Sequence, residues 1–489
     1  MQAASFFFAL ADWLYVTDGT EAGTAFVLET GEPGGGATPI TKMVSYQDKA
    51  WFFTAGTDEY GLWYSDGTAS GTQILHAFDY EFHQNMNLLN GKLIMVADDG
   101  VHGVELWVSD GTVAGTIMVK DINPGINDGL DFESGYFGIT IIDNEAYFFA
   151  NDGVHGNELW KSDGTAAGTT MIKDILPGPD GSYPKFFRKL NDKVAFIAAD
   201  SAVFGFDDGL FITDGTDAGT YEVASLPTFG VNQMVSSGDK VYFIDQYDEE
   251  VWVSDGTAAG TNVIPVNLNQ NQSSYPHQMV KLQEGKYLFN ASYGNTMKDE
   301  LWVTDGTPAG SEHLMTNPSG YALFDLCPNT LNSSGFFAAV TGSGSSDMAL
   351  WKSDGTLAGT LKLKDIEPDF SRGTVVLNNA LYFAAAPDKL WRTDGTGTGT
   401  YKVADIHVDY LTLFNGEIYF NSGGSGDKEL WKSDGTAAGT QLVADINPAG
   451  SSKPSYITAA NGTLFFSATT DPEGEEPWVS DGTSSGTYL

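Results

Sequence analysis

The 489-residue chain carries 64 acidic against 24 basic residues, a formal net charge of −40, and a surface of that sign repels phosphate backbones and anionic headgroups, which argues against nucleic acid or a membrane surface as partner. Hydrophobic residues make up 42% of the chain and 58 glycines punctuate it, a folding composition with regular turn signals that points to an all-β protein. The single cysteine, Cys327, rules out an internal disulfide, and no apolar run approaches the roughly 20 residues of a bilayer-spanning helix, so no membrane insertion is expected.

From the start of the chain one phrase recurs, a hydrophobic pair leading into (S/T)-D-G-T-x-x-G-(S/T). Its aspartate falls at Asp18, Asp66, Asp110, Asp163, Asp214, Asp255, Asp305, Asp354, Asp394, Asp434 and Asp481, at intervals of 40 to 53 residues. A period of that length is one four-stranded unit per repeat, the spacing of propeller blades. The expected architecture is an all-β β-propeller of 11 four-stranded blade-type repeats, continuous over residues 1–489 with no clear linker. Eleven exceeds the usual ~4–8 blades of one ring, so one unusually large ring, two fused rings and an open array all stay open.

The opening Ser5-Phe6-Phe7-Phe8-Ala9-Leu10-Ala11 has the look of a signal peptide, but no basic residue precedes it and Asp12 follows at once; it reads as a strand of a first repeat that lacks its own first strand. The fourth copy shows a whole unit. Phe137–Ile142, Glu145–Ala150, Glu158–Ser162 and Thr169–Lys173 are predicted strands, with turns at Asp143-Asn144 and Asp163-Gly164-Thr165 and a long polar crossing after Pro177-Gly178. In the phrase, Asp is suited to bond the amides ahead of it, and the adjacent Gly to supply positive φ. The later Gly permits a second tight bend. Nine of the 11 tryptophans fill the second position of the hydrophobic pair: Trp63, Trp107, Trp160, Trp252, Trp302, Trp351, Trp391, Trp431 and Trp478, with Tyr15 and Phe211 in the other two copies. Adjacent strand residues face opposite ways, so one member of the pair should point between blades. Together with the aspartates these aromatics are the predicted structural motif. The last copy stops at Thr487-Tyr488-Leu489, within a fourth strand.

Chemistry is sought in the loops before the pair, which differ most between copies. Two match each other: Asp98, Asp99, His102 and Glu105 in one, Asp152, His155 and Glu158 in the other. Such residue types ligate metals; the alternative is a hairpin with Asp-Gly at the turn and a locally packed His. Acidic loops at 245–250 and 471–476 suit calcium, but the D-x-D-x-D-G series of a calcium loop is absent. No cofactor is expected beyond that calcium option. The aspartates that end the fourth strands, Asp121, Asp174, Asp365, Asp405 and Asp445, read as turn caps. Three arginines (Arg188, Arg372 and Arg392) and seven histidines without a shared setting give no sialidase-type cluster or triad.

The phrases Glu105–Thr112, Glu158–Thr165 and Glu429–Thr436 resemble the ELWxxDGT repeat family, large secreted or surface proteins of bacteria, and the likeness runs over essentially the whole chain. It implies an exported, propeller-like repeat protein, extracellular or on the cell surface, and assigns no catalytic residue. The function expected from the sequence is therefore a non-catalytic adhesive or ligand-presenting scaffold, alone or within a larger surface protein, with a glycan or protein ligand on variable loops. The alternatives are a glycan-active hydrolase or lyase on the same fold and a purely structural segment.

Overall fold

Two-residue turns with positive φ close most first hairpins: Gln47-Asp48 (51° and 57°), Asp143-Asn144 (50° and 64°) and Asn378-Asn379 (48° and 56°). Their backbone twist matches that of the strands they join. The structure, a computed structural model, describes residues 6–10, 13–17, 25–29, 40–54, 60–79, 86–130, 138–199, 208–226, 231–237, 239–245, 251–264, 276–283, 285–293, 298–316, 325–341, 347–387, 389–424, 427–460, 462–470 and 474–489. Among these the strands form one three-stranded and ten four-stranded sheets, each antiparallel and ordered as in sequence. The architecture is thus all-β, built from blade-type sheets, numbered 1–11 below. Among the described residues sheet 1 consists of three strands, Phe6–Leu10, Trp13–Thr17 and Ala25–Glu29. Its Asp18 turn lies outside the described residues. Sheet 4 runs Thr140–Ile142, Glu145–Asn151, Asn157–Ser162 and Thr170–Lys173. Its first strand is shorter than expected, and Phe137 lies outside the described residues.

The third and fourth strands meet with a register slip at the hydrophobic pair: Leu106 faces Lys120 while Trp107 faces Met118. The same slip occurs at Leu159/Trp160, Leu210/Phe211, Leu301/Trp302, Leu390/Trp391 and Leu430/Trp431. A bulge of this kind places one extra residue on the partner strand. That residue is aliphatic and buried each time: Val119, Ile172, Val223, Leu314, Val403 and Val443.

The core lies between sheets. Leu106 of sheet 3 clusters with Ala146, Phe148 and Trp160 of sheet 4; Leu62 of sheet 2 with Trp107 of sheet 3; Leu390 of sheet 9 with Trp431 of sheet 10; Leu430 of sheet 10 with Trp478 of sheet 11. Both members of the pair therefore work between sheets, the leucine toward the next and the aromatic toward the previous one. The glycine of Asp-Gly-Thr also meets the preceding sheet. A Cβ on Gly435 (φ 92°) would stand 2.2 Å from the Tyr382 hydroxyl, and one on Gly482 (φ 91°) 2.2 Å from that of Tyr419. The chain divides into two compact units, residues 1–18, 22–247 and 254–261 in one, 19–21, 248–253 and 262–489 in the other.

Candidate functional site

Each described Asp-Gly-Thr hairpin holds the same closed network, set out here for sheet 4. Asp163 Oδ1 accepts from the Thr165 amide at 2.8 Å and from its hydroxyl at 2.7 Å. Thr165 Oγ1 accepts from Gly168 N at 3.0 Å, and Thr169 Oγ1 donates to the Thr165 carbonyl at 2.7 Å. Ser162 Oγ accepts from Gly164 N and pairs with Thr169 Oγ1 at 2.7 Å. Asp66, Asp110, Asp214, Asp255, Asp305, Asp354, Asp394, Asp434 and Asp481 repeat the first two bonds. The threonine hydroxyl bond holds the Asp163 carboxyl below its ordinary pKa, and those of Asp66, Asp110, Asp214, Asp394 and Asp434 likewise. The later glycine does not serve as a second bend of unusual φ. A Cβ on Gly168 would sit 2.1 Å from Asp163 Oδ1, so its bareness makes room for the carboxylate. Of the tryptophans in the repeated phrase, Trp107, Trp160 and Trp302 are buried, and Trp63, Trp252, Trp351, Trp391, Trp431 and Trp478 are half-buried.

In the matching loops Asp99 accepts from the amides of Val101 and His102 at 2.9 Å each and holds His102 Nδ1 at 2.8 Å. Asp152 does the same for Val154 and His155, with His155 Nδ1 at 2.7 Å. Those bonds raise both imidazole pKa values. Asp98 accepts from Gly100 N at 2.7 Å. Glu105 and Glu158 are fully buried and accept from backbone amides of the crossing that follows the fourth strand. Among the described residues no three His, Cys, Asp or Glu side chains gather where a metal ion would be held. Of the acidic loops, residues 246–250 and 471–473 lie outside the described residues. At the strand ends, Asp365 pairs with Lys362 at 2.6 Å and Asp405 with Lys389 and Lys402 at 3.2 Å each.

A denser constellation, not singled out by the sequence, lies at the first strands of sheets 9 to 11. Those strands are Pro368–Leu377, Asp409–Phe414 and Ser455–Ala460, and each bulges, with register slips at Asp369/Thr374, Asp409/Thr412 and Ser455/Thr458. The slips put Tyr410 (φ 58°) and Tyr456 (φ 55°) in the left-handed region, which a bulky residue enters only at a cost of ~1–3 kcal/mol. Both rings are nonetheless exposed, 41% and 75%, and their centroids lie 5.9 Å apart. Beside them Asp409 Oδ2 contacts His407 Nε2 at 2.5 Å and Lys428 Nζ at 3.1 Å, and Lys428 Nζ stands 2.9 Å from His407 Nε2. Arg372 bridges Asp409 and Asp369, its Nε 2.6 Å from Asp369 Oδ2. Burial pushes the Asp409 pKa up, but His407, Lys428 and Arg372 outweigh it and hold the carboxyl below its usual range. The result is two exposed aromatic faces beside a half-buried cluster of His407, Asp409, Lys428 and Arg372. Positive φ in tyrosine leaves no signature in a single sequence, which is why the strands were legible and this site was not.

No family model matches the chain, and no curated protein matches it. Solved structures with a similar strand pattern include puromycin hydrolase (14% identity, TM-score 0.33, 61% of this chain and 52% of that chain). Oligopeptidase B from Leishmania major is another (12%, 0.31, 69% and 52%). A third is the β-propeller domain of the Trilobed protease from Pyrococcus furiosus (14%, 0.29, 62% and 96%). The chain spans about half the length of puromycin hydrolase and of the tricorn protease. Likenesses this distant transfer no activity, substrate or partner. Peptidases are among the solved structures that share the pattern. The expectation of a non-catalytic adhesive scaffold is corrected accordingly.

Proposed function

We propose that the chain is a peptidase-type propeller, the substrate-handling part of a hydrolytic protein, and that peptide meets it at the first strands of sheets 9 to 11. The enzymatic alternative left open by the sequence was a glycan-active hydrolase or lyase; the peptide class follows the peptidases among the solved structures above. The observation that supports the location is the Tyr410–Tyr456 pair, held exposed on left-handed backbone beside His407, Asp409, Lys428 and Arg372. Strain of that kind persists only where surrounding structure imposes it, and it concentrates at ligand contacts. The rings offer stacking area at low entropic cost and the cations offer donors to peptide carbonyls. As part of the same proposal, the eleven sheets are eleven propeller blades, the protein belongs with the ELWxxDGT repeats, and it is exported.

The test is turnover and saturable binding of a fluorogenic oligopeptide library by the purified chain. Tyr410→Ala with Tyr456→Ala is expected to weaken peptide binding by about tenfold or more, ~1.4 kcal/mol. Polysaccharide turnover in its place would move the reading to a glycan hydrolase or lyase. A chain that neither binds nor cleaves peptide would reject it.

A further inference from the structure

Three sheets use a buried glutamate, two residues before the Trp, to tie down the crossing that leads to the next sheet. Glu158 Oε2 accepts from Ile175 N at 2.9 Å and from the Ser182 hydroxyl at 2.6 Å, and its Oε1 from Leu176 N at 3.1 Å. Glu429 Oε2 accepts from Ile446 N at 2.7 Å and the Ser452 hydroxyl at 2.6 Å, its Oε1 from Ser452 N at 2.9 Å. In sheet 3, Glu105 Oε1 accepts from Asn123 N at 3.0 Å. The residue in the place of Ser182 and Ser452 is Gly129, whose Cα faces the carboxylate; a Cβ built there would lie 2.4 Å from Oε1. No hydroxyl is available, and Oε2 is buried without a hydrogen-bond partner in a residue of zero exposure.

Gly129 is also the stitch between two sheets. Its amide donates to the Val104 carbonyl at 3.0 Å, and its carbonyl accepts from Asn151 N, in the second strand of sheet 4, at 2.8 Å. Ser182 and Ser452 occupy the same bracket, their carbonyls accepting from Ala199 N and Thr469 N. An acceptor oxygen stranded at such a bracket is costly when charged and acceptable when it carries a proton.

We propose that Glu105 is a proton-operated latch on the crossing 121–130, holding the third sheet to the fourth when protonated and loosening that seam when ionised. Burial raises the Glu105 pKa from 4.5 to about 7 against the amides of Asn123 and Ile122, and Asp121 and Asp128 on the crossing raise it further. Ala97, opposite Glu105 on the second strand, is uncharged. His102, which feels the Glu105 charge, is paired to Asp99 at 2.8 Å. The sign follows from the two pKa values. A raised carboxyl pKa means the latched state holds a proton that the opened state, at the ordinary 4.5, has lost. Latching is therefore strongest at or below the ordinary value, weakens as pH rises toward 7, and is constant above that.

Hydrogen exchange of the intact chain, corrected for intrinsic rates, tests this. Protection at 121–130 and at Asn151 is expected to fall about tenfold per pH unit between about pH 5 and pH 7 and then to level. The 445–452 crossing, where Ser452 completes the carboxylate's partners, should not follow it. Glu105→Gln should abolish the slope. Equal protection of 121–130 at about pH 5.5 and about pH 7.5, or an unchanged slope in Glu105→Gln, overturns the latch. Should that variant fail to fold, the wild-type carboxyl can be followed by infrared or carbon NMR; titration of Glu105 at its ordinary value overturns the proposal equally.

Discussion

The Asp163–Gly168 pair shows how little freedom the repeated phrase leaves at single positions. The aspartate acts as the hub of a hairpin, and the glycine five residues on is bare because the carboxylate fills the space a side chain would need. Gly168→Ala is expected to cost ~1–3 kcal/mol by steric displacement, and Asp163→Ala ~1–2 kcal/mol by lost hydrogen bonds. Because both act on one contact, the double variant should cost less than the sum, measured by denaturant unfolding; strict additivity would mean the glycine has another role. The lowered Asp163 pKa sets a pH dependence as well. Its contribution is present above the ordinary 3.8 and is lost as pH falls through the lower folded value, so Asp163→Ala should matter at neutral pH and vanish in strong acid.

At the scale of the element, the bulge between third and fourth strands is what lets one short sheet serve two neighbours. The extra aliphatic residue, Val119 in sheet 3 and Val443 in sheet 10, fills the core beside the leucine of its own sheet and the tryptophan of the next. Leu430, fully buried against the next sheet, should cost ~2–5 kcal/mol as Ala. Trp431 is only half-buried, so Trp431→Ala should fall below the ~3–5 kcal/mol of a buried aromatic. Thermal or chemical melts of the two variants check the order, and a tryptophan loss exceeding the leucine loss would reassign the anchor. The recurring aliphatic was present in the sequence three residues after each closing threonine, but a bulge position is invisible until pairing partners are known. Tyr410 and Tyr456 were hidden for the same reason, since what sets them apart is backbone conformation and a neighbour in another sheet.

For the whole molecule the net charge of −40 dominates the response to solution conditions. Self-repulsion of a compact anion is screened as the Debye length shrinks from ~30 Å at about 0.01 M salt to ~10 Å at about 0.1 M. The melting temperature should therefore rise with sodium chloride over that range, read by calorimetry, whereas a fall would mean that attractive ion pairs such as Lys161–Glu145 outweigh the repulsion. The sequence by itself determined the strand-and-turn unit and its recurrence, because period, turn chemistry and alternation are local properties of the chain. Only the tertiary structure decided where the recurring groups are spent. Glu105 and Glu158 are buried acceptors for a crossing some twenty residues away, and His407, Asp409, Lys428 and Arg372 converge from four strands. Burial and contacts between sheets depend on pairing at distances of forty residues or more, which no local pattern encodes.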